Sequence, residues 1–337
     1  MEQTYRRQEL LIGKNAFFFA VILCLLIFSG CSGVSVLRLP ETEPLEEKVL
    51  EGTGKPKILL IDLDGVISFR EERDLLGLGT RPSKVAFFRE ALLKAEKDPR
   101  VSGVIVRINS PGGSVAASDA IYHEIMSFRE KKKIPVHAFI MELGASGGYF
   151  VASAADRIIA SPTAITGSIG VIAMKFNIER LLSKIGVSEE TYKSAPKKDF
   201  WSPFRPSTPE EKKMFQDIID KLYARFLEVV YASRKKVLTE KEVRTLADGR
   251  VLVSGEALKA GLIDRVAYPD EEIEDMKKDL HLEQATVVTY VRPKTYKSNI
   301  YSESPGLPLL IQINLISINS EELSPFSGVQ FMYCWNP

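Results

Sequence analysis

Through the middle of the chain, short apolar runs alternate with longer stretches whose apolar positions recur every three or four residues. Ile58–Leu63 reads as a buried strand with Asp64-Gly65 as its turn. Val85–Lys97 reads as a helix stopped by Asp98-Pro99, and Val104–Ile108 as the next strand. A glycine-bearing loop at 109–114, a helix over Val115–Glu130 and a strand over Val136–Ile140 follow. Strands separated by helices of this length imply right-handed crossovers and a mostly parallel sheet with flanking helices, an α/β fold. Beyond residue 200 the pattern turns helical. Thr208-Pro209-Glu210-Glu211 has the form of a cap, a first-turn proline and acidic residues. Phe215, Ile218, Ile219, Leu222, Phe226, Val229 and Val230 then keep helical spacing to about Ser233, and Thr239 opens a second, shorter helix. These elements delimit one domain over about 56–290.

The two ends differ from this domain. Arg6, Arg7 and Lys14 precede an apolar stretch, Ala16–Phe28, which ends in Ser29-Gly30-Cys31. A basic segment, an apolar run and small residues form an export signal or anchor, assigned here to 1–37. Two readings of its end stay open. Phe28-Ser29-Gly30-Cys31 has the shape of a lipobox with Phe at the position usually held by Leu, which would make Cys31 the lipidated residue. Alternatively, Asn15–Leu37 is free of charge and long enough to remain as a membrane-spanning helix. Both readings put the domain on the extracytoplasmic side of a membrane. Residues 38–55, rich in Glu, Pro and Gly, read as a tether. The tail over 291–337 holds an apolar run, Leu307–Ile318, and ends near Phe331-Met332-Tyr333-Cys334-Trp335; the sequence does not decide whether it packs on the domain or mediates contacts.

Composition narrows the function. Of 337 residues, 45% are hydrophobic and 26% charged, and the formal net charge of +1 leaves no basic footprint for nucleic acid. The three cysteines, Cys24, Cys31 and Cys334, form no CxxC pair and have no histidine cluster beside them. Neither a disulfide framework, a structural metal site nor a cofactor is expected.

Three glycine-bearing loops follow strand patterns: Ser110–Ser114, Gly144–Tyr149 and Thr166–Gly170. The second sets Ser146 between small residues where a strand ends and a small-residue helix over 147–155 begins. That helix start offers free N–H groups to a developing oxyanion, although a serine here can also simply cap a helix. Gly112 or Gly113 of the first loop could donate a second N–H at no steric cost. A serine nucleophile needs a base. His123 lies within a helix, His137 within a strand and His281 outside the motifs, so none adjoins a glycine loop. Lysine is the other option where burial populates its neutral form. Lys193, Lys197 and Lys198 share one loop, and sequence chemistry alone does not choose among them.

Several motifs together narrow the choice. Ser-Pro-Gly-Gly-Ser (110–114), Gly-Ala-Ser-Gly-Gly-Tyr (144–149), Thr-Gly-Ser-Ile-Gly-Val (166–171), Lys-Lys-Asp-Phe-Trp-Ser-Pro (197–203), Ala-Asp-Gly-Arg-Val (247–251) and Ala-Gly-Leu-Ile-Asp (260–264) occur in this order. Over about 56–270 the chain resembles the bacterial signal peptide peptidase SppA family in its short form. The resemblance implies a ClpP/crotonase-like fold and a Ser/Lys dyad, with Ser146 as nucleophile and Lys198, immediately before Asp199, as general base. It also implies an oxyanion hole from the Gly113 and Gly147 N–H groups, and Ser168 as the hydroxyl that orients the lysine. The expected activity is endopeptidase cleavage of remnant signal peptides at the membrane by a ring-like homo-oligomer whose dyad can be shared between subunits. Two other functions fit the same fold. A crotonase-type acyl-CoA enzyme would carry a catalytic carboxylate and no export segment, and a membrane-tethered scaffold would have no need of Ser146 and Lys198.

Overall fold

A computed structural model of the protein describes residues 43–73, 80–293 and 332–335. The export or anchor segment, including Cys31, and most of the 291–337 tail lie outside the described residues. Among the described residues, no helix is long and apolar enough to cross a membrane.

The first strands are β1 (Glu46–Glu51), β2 (Lys57–Asp64), β3 (Glu72–Arg73), β4 (Thr80–Arg81), β5 (Val101–Ser110), β6 (Gly112–Ser114) and β7 (Val136–Ala145). They are followed by β8 (Arg157–Ala160), β9 (Ile165–Gly167), β10 (Val251–Val253), β11 (Arg265–Val266), β12 (Thr286–Val291) and β13 (Met332–Cys334). Helices are α1 (Lys84–Lys97), α2 (Val115–Lys132), α3 (Gly147–Ala152), α4 (Glu179–Lys184), α5 (Pro209–Arg234), α6 (Glu240–Leu246), α7 (Ser254–Lys259) and α8 (Pro269–Asp279). The main sheet runs β1-β12-β2-β5-β7-β8-β11, and β9 pairs with both β7 and β10. Every pair from β12 to β11 along this path is parallel; only β1 on β12 and β10 on β9 are antiparallel.

The central strands are apolar on both faces because both faces are covered. Leu59, Ile61 and Leu63 of β2 enter a cluster with Phe88 of α1, Ile121 of α2 and Phe226 of α5. The alternate residues Ile58 and Leu60 pack with Ile105, Phe139 and Met276 of α8 on the other face. Asp62 interrupts the apolar run and is paired in register with Arg107 of β5. Their side chains form a buried ion pair at 2.7 Å, so neither charge is left uncompensated in the sheet.

The helices start where their caps dictate. Ser83 Oγ accepts the Ala86 N–H at the head of α1, and Thr208 and Glu211 form a reciprocal capping box at the head of α5. Residues 46–51, within the stretch read as a tether, form β1. With the sequence Glu-Glu-Lys-Val-Leu-Glu and only Lys48 and Leu50 half-buried, this edge strand has little apolar periodicity, and its partner β12 lies far along the chain. The α3 helix is also shorter than its small-residue pattern suggests, closing at Ala152.

Parallel pairing gathers the C-terminal ends of β2, β5 and β7 on one edge of the sheet, with Asp64 opposite Asn109 and Ser110 opposite Gly144. Sites form at this edge in such folds, and the glycine loops open here.

Candidate active site

Strand β7 ends at Ala145 and α3 starts at Gly147, so Ser146 must reverse the chain in a single residue. It does so with φ 54° and ψ −115°, outside the regions open to residues with a Cβ. The strain is held from both sides. The Ser146 N–H donates to Gly167 O at 2.8 Å, and its carbonyl accepts the Phe150 N–H at 2.9 Å. Backbone strain of this kind costs about 1–3 kcal/mol and persists where its surroundings fix it. Ser146 is 2% exposed, and α3 behind it is buried throughout.

The neighbouring strand carries the second serine. Strand β9 pairs parallel with the end of β7, Gly144 opposite Thr166 and Ala145 opposite Gly167. Ser146 and Ser168 therefore leave adjacent strands at the same level, and Ser168 also has positive φ (51°) and is buried. Its N–H donates to Arg250 O at 2.7 Å, which fixes the turn from the β10 side.

The first glycine loop closes the other wall. The Ile67 N–H donates to Gly112 O at 2.9 Å and the Ser114 N–H to Ile67 O at 2.8 Å, laying residue 67 alongside Gly113. A Cβ on Gly113 would stand 2.1 Å from Ile67 O, so only glycine fits. Gly112, at φ 102°, adjoins the start of α3: the point its Cβ would take lies 2.6 Å from Gly147 N. Gly113, Gly147, Ser146 and Ser168, widely separated in sequence, thus converge on one edge of the sheet.

Lys198 is not hydrogen-bonded into this group. It lies exposed in a run of turns, where its N–H donates to Ala195 O at 3.1 Å. The turns are pinned to the head of α5. Asp199 accepts from Lys193 Nζ and Arg205 Nε, both at 2.7 Å, and Arg205 donates to Glu211 at 2.5 Å. Phe200 stacks on Phe215 with ring centres 4.2 Å apart, and Trp201 packs on the same ring at 3.7 Å. The Arg205 guanidinium and Lys193 hold the Asp199 carboxyl well below the usual range. Arg205 and the Thr208 N–H lower that of Glu211 to about 2. This network separates the three lysines that sequence chemistry left equivalent. Lys193 pairs with Asp199 and Lys197 with Glu210, whereas the Lys198 ammonium has no side-chain partner among the described residues. Sequence reading missed Arg205 and Glu211 as the clamp on this loop; the only signal was the cap pattern at 208–211.

The histidines stand apart from Ser146. His137 is buried against Glu272, Nδ1 to Oε1 2.5 Å, while His123 and His281 are exposed. Also unforeseen is β13 of the tail, which pairs antiparallel with β6 directly beside the glycine loop.

Comparison with known proteins identifies the family. The model of peptidase family S49 matches residues 128–283, and the Clp protease model matches residues 81–166. A protein of Enterococcus faecium that carries the name signal peptide peptidase SppA is 32% identical over 292 residues, covering 85% of this chain and 83% of its own length. Protease 4 of Salmonella typhi is 31% identical over 257 residues, covering 72% of this chain but only 41% of its own. The chloroplastic serine protease SPPA of Arabidopsis thaliana is 33% identical over 285 residues, 82% of this chain and 40% of its own. A mixed α/β fold with a mostly parallel sheet, a strained serine between glycine loops and this set of relatives agree: the chain belongs to peptidase family S49.

Proposed function

We propose that the protein is a serine endopeptidase in which Ser146 is the nucleophile and Lys198 the general base. The observation that carries this reading is the strained turn at Ser146, which presents a hydroxyl at the C-terminal edge of the sheet beside two glycine loops. In the reaction, neutral Lys198 accepts the Ser146 proton as Oγ attacks a peptide carbonyl. The oxyanion is stabilised by the Gly113 and Gly147 N–H groups. As the C–N bond breaks, the lysine returns the proton to the departing amine, and water then hydrolyses the acyl-enzyme. Ser168, level with Ser146 on the adjacent strand, orients the lysine amine.

The Lys198 ammonium, on an exposed loop and with no side-chain partner among the described residues, suits a dyad completed across a subunit boundary. The segment leading to that loop presents Ile172, Met174, Phe176, Leu181, Ile185 and Val187 to solvent, and α4 buries none of its residues. An apolar surface of this kind favours burial in an interface, and a second copy of the chain in a homo-oligomer would supply both the cover and the lysine. With the basic and apolar N-terminus as membrane anchor or lipidated tether, the site would work on the extracytoplasmic face. Its substrates would be peptides left in or at the membrane, remnant signal peptides above all.

The test is labelling by a fluorophosphonate probe. Wild type should label at Ser146 and Ser146→Ala should not; equal labelling of both would refute the assignment.

A further inference from the structure

Ser110 is a fully buried hydroxyl at the point where β5 meets the first glycine loop. Its Oγ donates to Gly65 O at 2.6 Å and accepts the Gly112 N–H at 3.1 Å. The single hydroxyl proton goes to Gly65, since Gly112 O stands farther off at 3.5 Å. Both capacities of the hydroxyl are therefore in use, and each reaches a different segment. Gly65 belongs to the turn after β2, which is also tied to the loop by its own N–H, donated to Asn109 O at 2.9 Å. Residue 110 lies against α3 as well. A Cβ on Gly148 would stand 2.9 Å from Ser110 O and 3.5 Å from the Ser110 Cβ.

The consequence falls on Gly112. With φ 102° and no side chain, its own sterics leave the backbone free to turn. Two hydrogen bonds on either side of its Cα remove that freedom. Ser110 Oγ holds the N–H, and the Ile67 N–H holds the carbonyl at 2.9 Å. A trans peptide points its C=O and N–H in opposite directions. With Gly112 O turned towards Ile67, the Gly113 N–H faces away from residue 67. The Ser110 hydroxyl bears on both bonds: it grips the Gly112 N–H directly, and through Gly65 it anchors the turn that carries Ile67.

We infer that Ser110 is a positioning residue for the hydrolysis: without touching substrate, its hydroxyl sets the aim of the Gly113 N–H at the developing oxyanion. This rests on the peptidase reading above. An oxyanion donor acts on charge that is present in the transition state and absent from the bound peptide, so losing its aim lowers kcat and leaves KM in place. A misplacement of about 1 Å costs about 10²-fold in rate. A donor that is loosened rather than deleted puts Ser110→Ala at a kcat roughly 10- to 100-fold below wild type.

The experiment follows peptide hydrolysis, thermal melting and inhibition by a peptide aldehyde in the full chain carrying Ser110→Ala, Ser110→Thr or Ser110→Val. The threonine and valine variants share one shape, so their ratio isolates the hydroxyl even where the added methyl crowds the loop. The aldehyde carbon takes the Ser146 Oγ, its oxygen gains the proton, and that oxygen occupies the oxyanion position, so its Ki follows the aim of the donor. Expected for Ser110→Ala is a kcat lowered roughly 10- to 100-fold, a KM within about twofold and a Ki raised by the same factor as kcat falls. Ser110→Thr should exceed Ser110→Val in kcat by roughly tenfold. A kcat for Ser110→Ala within about twofold of wild type, or equal kcat in the threonine and valine variants, overturns the inference. So does a fall in kcat with Ki unmoved, which moves the effect away from the oxyanion. Loss of folding in the alanine and valine variants alone overturns it too, because the hydroxyl is then a requirement of the fold. If wild type cuts peptide and takes up the fluorophosphonate at Ser146 while Ser110→Ala matches it, the positioning role falls and the peptidase stands. If wild type neither cuts nor labels, both fall together.

Discussion

Replacing Gly113 with alanine probes the proposed oxyanion hole without touching a side chain that does chemistry. Gly113 is not among the glycines with positive φ, so alanine meets no conformational objection there; the objection is steric. The new Cβ would lie 2.1 Å from Ile67 O, 2.5 Å from Ile67 N and 2.7 Å from Ile67 C, all backbone atoms that cannot rotate aside. Ordinary contact begins near 3.4 Å, so the two segments must part by more than about 1 Å. Residue 67 is tied to this loop by the Ile67 N–H to Gly112 O and Ser114 N–H to Ile67 O bonds, so the 112–114 segment moves with its N–H groups. A displacement of about 1 Å costs about 10²-fold in rate, and outright loss of one oxyanion donor about 10²–10³. The predicted fall in kcat is therefore on the order of 10²–10³, about 3–4 kcal/mol of transition-state stabilisation. Overpacking should also lower stability by about 1–3 kcal/mol.

The assay is steady-state hydrolysis of a peptide substrate together with a thermal melt. Gly255→Ala, where nothing lies within 4 Å of the added Cβ and φ is, as at Gly113, not positive, controls for the substitution itself. A Gly113→Ala variant with kcat within about twofold of wild type, at a lowered Tm, would show that the loop moves without mattering to the chemistry. That would remove Gly113 from the oxyanion hole.

Three further outcomes are expected. Ser146→Ala and Lys198→Ala should each abolish peptide cleavage while leaving the sedimentation profile intact; retained turnover in purified Lys198→Ala removes that lysine from the mechanism. Because only an uncharged amine accepts a proton, wild-type activity should climb from mildly acidic to alkaline pH, and a flat profile argues against a lysine base. Glu211 and Asp199 have carboxyl pKa values depressed by Arg205, with Glu211 at about 2. The stability they add is present above the ordinary carboxylate range and is lost as pH falls through that range towards about 2. Arg205→Gln should lower Tm at neutral pH and flatten its decline in acid; an unchanged slope of Tm against pH would show that the clamp contributes nothing to folding.

How far the sequence discloses this molecule depends on how local each signal is. Ile58–Leu63 could be read as a buried strand because a two-faced sheet needs a continuous apolar run, and the observed strand extends it by one residue at each end. The caps at Ser83, Thr208 and Thr239 are equally local, and each opens its helix where the pattern marks it or within a residue of it. Ser146 was legible because a serine among small residues at a strand end is the composition a sharp reversal requires. Strand β1 was not legible, since its six residues expose most of their side chains and gain their order from β12, a partner remote in sequence. Strand β13 left no signal either: three residues carry no period, and what holds them is the backbone of residues 111–114 and 172.

The lysine shows the same limit from the other side. Lys193, Lys197 and Lys198 are one basic turn in sequence, and only a folded environment can make them unequal. Asp199 takes Lys193 and Glu210 takes Lys197, while Asp199 is itself locked by Arg205. An amine that must exchange protons with a serine cannot be committed to a carboxylate, since a close anion stabilises its charged form. Of the three, only Lys198 escapes that constraint among the described residues, and it does so on an exposed loop open to water. A surface that buries this loop, with the apolar residues preceding it, would remove that water. The chemistry at Ser146 and the assembly of subunits would then be one requirement, because the contact that desolvates the amine is the contact that carries it to the hydroxyl. Dilution to separated subunits should accordingly silence peptide cleavage while leaving the turn at Ser146 folded.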